Sequence, residues 1–194
     1  MTTREILSEY DVILASASPR RKELMELLSG SFRVIPADCE EKVPEGLAPE
    51  ETAEYLAKLK CGCIAEVYGH SLVIGSDTVV ICDGEVMGKP ADEEDARRML
   101  KKLSGVTHQV VTGVCMAYCG RKESFRVSTD VTFRELDDED IEEYLRTGEP
   151  ADKAGAYGIQ GAGTLLVEKI DGDFFNVVGL PVSELGARLK LFLK

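Results

Sequence analysis

Val12-Ile13-Leu14-Ala15-Ser16-Ala17-Ser18-Pro19-Arg20-Arg21 decides the class of fold. The first four residues are a short apolar run, suited to a buried strand. Ser18 is a preferred N-cap, and Pro19 is tolerated at the first helical position. The stretch is therefore a strand running into a helix, with Leu24, Leu27 and Leu28 as the helix's apolar face and Gly30 as its stop. A helix start exposes unpaired N–H groups and partial positive charge, which favours an anion. Ser16, Ser18, Arg20 and Arg21 at that point suit a polyphosphate, because guanidinium forks match phosphate oxygens. An ordinary capped helix with solvated arginines is the plainer alternative.

Outward from that junction, strand-like and helix-like segments alternate, which predicts an α/β chain. Phe32 to Pro36 is strand-like. Pro49-Glu50-Glu51 opens a helix with acids at the positive end of its dipole, with Tyr55, Leu56, Leu59, Cys63 and Val67 as its expected inner face. Leu72 to Ile74 and Val79 to Cys82 read as strands broken by Gly75-Ser76-Asp77-Thr78, and Asp83-Gly84 is a hairpin signal. Asp92 caps a helix over Glu93 to Leu103 that Gly105 stops. Val110 to Tyr118 and Phe125 to Phe133 flank Gly120 as a long hairpin, expected to form a lobe of its own and a cleft against the N-terminal half. An acid-led helix over Asp137 to Thr147, a glycine-rich run from Lys153 to Gly163, a strand at Leu165 to Ile170 and a last helix carrying Leu185, Leu189, Phe192 and Leu193 complete the chain.

The 194 residues are 44% hydrophobic and 30% charged, which excludes a disordered tail, a collagen-like fibre and a small disulfide scaffold. A single domain with two lobes is expected over residues 1–194. At this size folding buries about 70% of the unfolded chain's surface. The net charge of −12 argues against coating nucleic acid, which needs many Lys/Arg–phosphate contacts. A small anionic ligand would need a local cluster of cations. The first residues form no signal-peptide run, and no apolar stretch approaches the length of a membrane span, so a soluble, cytoplasmic protein is expected. Six cysteines without a secretory signal are expected to be reduced and mostly buried. Cys61-Gly62-Cys63 and Cys115-x3-Cys119 are spaced loosely like metal ligands, but without the Cys-x2-Cys pairs or paired His motif usual in a structural zinc site.

Four more constellations carry chemistry. Asp77 lies in an otherwise apolar stretch and is costly to bury unless paired, which makes it a candidate general base or Mg²⁺ ligand; an Asp in a tight turn is the alternative. Glu40 and Glu41 offer hard oxygen ligands, or are paired surface acids. Lys60, Lys89 and Lys153 stand beside breakers, as phosphate-binding point charges or solvated lysines. The run Ala154 to Gly161 matches neither a Walker A loop nor a dinucleotide fingerprint. Its Gln160 carries a donor and an acceptor suited to a base edge, or is a surface residue on a flexible turn. No Ser-His-Asp or Cys-His set stands out, and His108 reads as structural.

Ile13 to Arg21, Leu56-Ala57-x2-Lys60, Gly75 to Val80, Gly88-Lys89-Pro90, Leu103-Ser104-Gly105-x2-His108-x-Val110, Asp152 to Gln160 and Gly179-Leu180-Pro181, in this order, resemble the Maf family of nucleoside triphosphate pyrophosphatases. The resemblance spans nearly the whole chain. It implies an elongated mixed β-sheet flanked by helices, two lobes with a central cleft, similar to the inosine triphosphate pyrophosphatases. It further implies hydrolysis of a nucleoside triphosphate to monophosphate and diphosphate with Mg²⁺ or Mn²⁺, in the cytoplasm, by a homodimer. Arg20, Thr78 and Gln160 resemble the dTTP/UTP subgroup; a subgroup acting on 7-methylguanosine triphosphate has Trp, Gln and Glu there. Residue by residue, the resemblance makes Asp77 catalytic and has Ser16, Arg21, Lys60 and Lys89 bind phosphates. Arg20, Thr78 and Gln160 set specificity, and Glu41, Glu40 and Asp77 face the cation. Where the family often has an apolar residue and then Asp-Glu, this chain has Cys39-Glu40-Glu41. A non-catalytic nucleotide-binding regulator of septum formation is the alternative from another class.

Overall fold

The structure, a computed structural model, describes residues 1–194. In chain order the elements are α1 (Thr3–Leu7), β1 (Val12–Leu14), α2 (Pro19–Leu28), β2 (Arg33–Val34), α3 (Pro49–Val67), β3 (Leu72–Cys82), β4 (Glu85–Met87), α4 (Glu93–Leu103), β5 (Thr107–Tyr118), β6 (Arg121–Phe133), α5 (Asp138–Leu145), β7 (Val167–Asp171), α6 (Phe174–Val178) and α7 (Val182–Phe192). Short 3₁₀ turns occupy Glu149–Asp152, Ala154–Ala156 and Gly161–Leu166. The seven strands form one mixed sheet in the order β2-β1-β3-β5-β6-β7, with β4 paired antiparallel to β3. No helix is long and apolar enough to cross a membrane.

The opening strand and helix form where the sequence places them. β1 pairs parallel with β2 on one side and β3 on the other, with Ile13 opposite Val73. A parallel strand covered on both faces needs a continuous apolar run, and all three β1 residues are buried. Ser18 caps α2 by accepting from the Arg21 N–H, with Pro19 following at the first helical position. The helix buries Leu24 and Met25, while Leu27 is 57% exposed. α1 and α7 both pack against α2, and Leu28 lies beside Gly186 of α7, which turns Leu27 outward.

The expected break at Gly75 to Thr78 does not exist: β3 continues through it as one strand of eleven residues. Gly75 instead lets α3 come close. A Cβ there would lie 2.7 Å from the Ala57 carbonyl oxygen and 2.8 Å from the Cys61 Cβ. Gly113 on β5 does the same, since its Cβ would sit 2.3 Å from the Ala53 carbonyl carbon. Such an approach requires small residues on the helix. α3 accordingly buries Thr52, Ala53, Leu56, Ala57, Cys61 and Ile64. Of the expected inner face only Leu56 is buried, and Val67 is 74% exposed.

The chain divides into two compact units. One comprises Met1–Asp77, Thr112–Val127 and Gly179–Lys194; the other comprises Thr78–Val111 and Ser128–Val178. The β5–β6 hairpin, closed by the positive-φ pair Cys119-Gly120, is therefore not a lobe of its own: its tip belongs with the N-terminal residues. The core of the first unit joins Ile13, Val73 and Cys115 to the small face of α3.

In the second unit Asp92 and Asp137 cap α4 and α5 through their side chains, and Gly105 and Gly148 follow those helices with positive φ. α4 and α5 pack together over a core containing Leu100, Phe133, Ile141 and Tyr157. His108 is buried there, edge-on to Phe133, with its Nε2 2.7 Å from the Tyr157 hydroxyl. Burial pulls its pKa down to about 4. The folded state thus binds the proton more weakly than the unfolded chain. Stability is fully present above pH ~6.5 and falls with pH towards 4, by about 3 kcal/mol in all. His108→Phe is expected to flatten that part of the urea-denaturation profile between pH 6.5 and 4; an unchanged slope would contradict it.

Candidate functional site

The anion-binding side chains gather where β1 ends and α2 begins. Ser16 is buried just past β1, and its Oγ accepts from the Ser18 backbone N–H at 3.3 Å and from Arg21 Nη1 at 3.2 Å. Arg21 Nε donates to the Gly179 carbonyl oxygen at 2.9 Å, and Ser76 Oγ donates to the same oxygen at 3.2 Å. One carbonyl thus ties the first turn of α2 to β3. Gly179 has φ +127°, which favours glycine. Desolvation lowers the Arg21 pKa; the charge of Asp77 opposes it, Arg20 adds to it and Glu41 opposes it. An arginine remains protonated under such a shift, so the site holds a fixed cation.

Asp77, buried on β3, faces Lys60 on α3. Lys60 Nζ lies 2.5 Å from Asp77 Oδ1 and 3.1 Å from Glu41 Oε2. The close helix–strand approach places this pair, since Ala57 and Cys61, on either side of Lys60, are the residues against Gly75, two positions before Asp77. The Lys60 and Asp77 side chains are 14% and 13% exposed, against 48% for Glu41. Desolvation offsets much of the attraction in such a pair. Its main consequence is therefore to hold two carboxylates around one positive centre.

Asp77 and Glu41 supply hard oxygens, and Mg²⁺ characteristically takes one or two carboxylates together with phosphate oxygens and water. Lys60 Nζ is the positive group between them. Glu40 is exposed and in no ion pair, and no group of three or more metal-ligating side chains is assembled.

Arg20, half-buried, lies in the first unit next to Arg21; the remaining sequence-predicted residues belong to the second unit. Thr78, half-buried, follows Asp77 on β3. Lys89 is exposed on the turn after β4, and the Gly88 carbonyl accepts the Gly155 N–H at 3.0 Å, which ties that turn to the glycine-rich run. Lys153 is engaged by the Glu149 carbonyl and by Asp152. Gln160 is exposed and extended, but the run around it is held throughout. The Gly158 N–H donates to Tyr144 Oη, Thr164 Oγ1 donates to the Ile159 carbonyl, and the Ala162 N–H donates to Glu149 Oε1. A Cβ on Gly163 would lie 1.9 Å from the Gly158 carbonyl oxygen, so glycine closes this loop. Gln160 stands on a loop tied by these hydrogen bonds on either side of it.

Sequence reasoning gave no role to Ser76 or Gly179. Their signal was present in Gly75-Ser76-Asp77-Thr78 and Gly179-Leu180-Pro181, but the carbonyl they share exists only in the folded chain.

A family model described as Maf-like protein matches residues 11–192. A protein of Bacillus velezensis named dTTP/UTP pyrophosphatase is 52% identical over 181 residues, 93% of this chain and 96% of that one. A protein of Thermococcus gammatolerans with the same name is 53% identical over 173 residues, 88% and 91% of the two chains. Among solved structures, a HAM1 protein from Coxiella burnetii superposes with a TM-score of 0.55 at 14% identity, covering 94% of this chain and 99% of that one. That likeness concerns the fold.

Proposed function

The chain belongs to the Maf family, and on that premise we propose that it is a pyrophosphatase hydrolysing dTTP and UTP to the monophosphate and diphosphate. The observation that carries this reading is the convergence of Arg21, Lys60, Asp77 and Glu41 in one unit, from segments far apart in the sequence. Names shared with relatives at about half identity over nearly the whole chain support the same substrates.

In the proposed reaction Asp77 takes a proton from water as the water oxygen attacks the α-phosphorus. The bond from that phosphorus to the bridging oxygen breaks, and diphosphate leaves. Arg21, oriented by Ser16 and the Gly179 carbonyl, binds phosphate oxygens with Lys60; by family position Lys89 joins them. Asp77 and Glu41 would hold a divalent cation, Mg²⁺ or Mn²⁺, which when bound neutralises phosphate charge. Glu40 is proposed to support it from outside. Arg20 and Thr78 set specificity with Gln160. The Gln160 amide donates to the 4-oxygen of thymine or uracil and accepts from the ring N3–H. The enzyme is proposed to act in the cytoplasm as a homodimer.

A panel of nucleoside triphosphates, read by monophosphate and diphosphate release with and without a chelator, tests the reading. dTTP and UTP should lead the panel, and the chelator should stop turnover. Binding of dTTP without release would favour the non-catalytic regulator. Gln160→Glu removes the amide donor and sets a carboxylate against a base oxygen. It is expected to lower kcat/KM for dTTP about 10-fold more than for purine triphosphates, or about 1.4 kcal/mol. An unchanged substrate ranking would remove Gln160 from base reading.

A further inference from the structure

All six cysteines are free thiols, and they differ sharply in setting. Cys61 and Cys115 interact with each other inside the first unit's core and are buried. Cys82 is buried too, and the exposed Cys119 lies near His70. Cys39 and Cys63 differ from all of these, being half-buried and interacting side chain to side chain.

Two contacts fix how this pair is arranged. Glu41 Oε2 meets Lys60 Nζ at 3.1 Å, and Cys63 Sγ lies 4.0 Å from the Asp38 carbonyl oxygen. The segment from 38 to 41 therefore runs alongside residues 60 to 63 of α3 in the opposite direction. Cys63 lies three residues beyond Lys60, on the same helix face, and Cys39 lies two residues before Glu41. A covalent link between the thiols would pin the segment that presents Glu41 to Lys60.

We propose that Cys39 and Cys63 form an oxidative-modification site: a low-molecular-weight disulfide converts them to an intramolecular disulfide that holds Glu41 on Lys60 and weakens triphosphate binding. One thiolate of the pair attacks a sulfur of the external disulfide, whose S–S bond breaks to release one thiolate. The second cysteine then attacks the mixed disulfide, forming the Cys39–Cys63 bond and releasing the other thiolate. Two protein thiols are oxidised, the external disulfide is reduced to two thiols, and the two protons pass to those products. The modification joins two half-buried thiols, so limited access slows it. Its effect on affinity rests on the phosphate-binding role given to Lys60, because a lysine held by Glu41 competes less well for phosphate.

The test incubates the full-length protein with oxidised glutathione, blocks remaining thiols by alkylation and maps linked peptides by mass spectrometry. A Cys39–Cys63 peptide and a loss of about 2 Da are expected in the wild type. Both should be absent in Cys39→Ser and Cys63→Ser and reversed by dithiothreitol. Titration with a non-hydrolysable dTTP analogue should show Kd raised about fivefold or more in the oxidised wild type and unchanged in both serine variants. A glutathione adduct on Cys119 as the sole product, or a linked peptide with unaltered Kd, would overturn the proposal. If reduced wild type binds the analogue but does not hydrolyse dTTP, the pyrophosphatase reading fails, while the peptide map and Kd still decide this one.

Discussion

Asp77→Asn is expected to lower turnover of dTTP by about 10²- to 10⁴-fold, the range for loss of a positioned general base. The substitution keeps the shape of the side chain and an oxygen that can still accept from Lys60 Nζ. It removes the negative charge and the ability to take a proton from water. Because Lys60 also reaches Glu41, the ammonium keeps a carboxylate partner and the packing of α3 on β3 is untouched. The loss should therefore fall on kcat, with a thermal transition close to that of the wild type. Diphosphate release and a thermal melt on the same preparation check both halves. Wild-type turnover in the variant would exclude Asp77 from the chemistry.

Arg21→Lys is expected to cost about 10- to 100-fold in kcat/KM although it conserves charge. The guanidinium is oriented at two points, Nη1 on Ser16 Oγ and Nε on the Gly179 carbonyl. A lysine is a flexible point charge that cannot keep both bonds and present a planar fork to phosphate. A charge-assisted hydrogen bond contributes about 1.5–3 kcal/mol, which corresponds to that range. The deficit should appear for dTTP and UTP alike, because phosphate is common to them. A loss confined to one base would point to base recognition instead.

These residues divide cleanly in how visible they were beforehand. Ser16, Ser18 and Arg21 could be read because a strand end, a cap and a first helical turn lie within ten residues. The caps of α4 and α5 were equally plain, since Asp92 and Asp137 act on backbone three positions away. The inner face of α3 was not legible. Larger apolar side chains at Tyr55, Leu59 and Val67 suggested one face, while the glycines at 75 and 113 admitted a tighter one. The course of β3 was misread for a related reason: Gly75 has the appearance of a break in a linear pattern, but its partner is a helix.

Local chemistry in the chain was enough to establish the α/β alternation, the helix ends and a pool of cationic and acidic candidates. Those signals act between near neighbours along the backbone, so no partner element is needed to interpret them. The pairing of Lys60 with both Asp77 and Glu41, and of Arg21 with Gly179, required the folded molecule. Absent side chains at Gly75 and Gly113 set the distance between α3 and the sheet, and that distance determines which charges can meet.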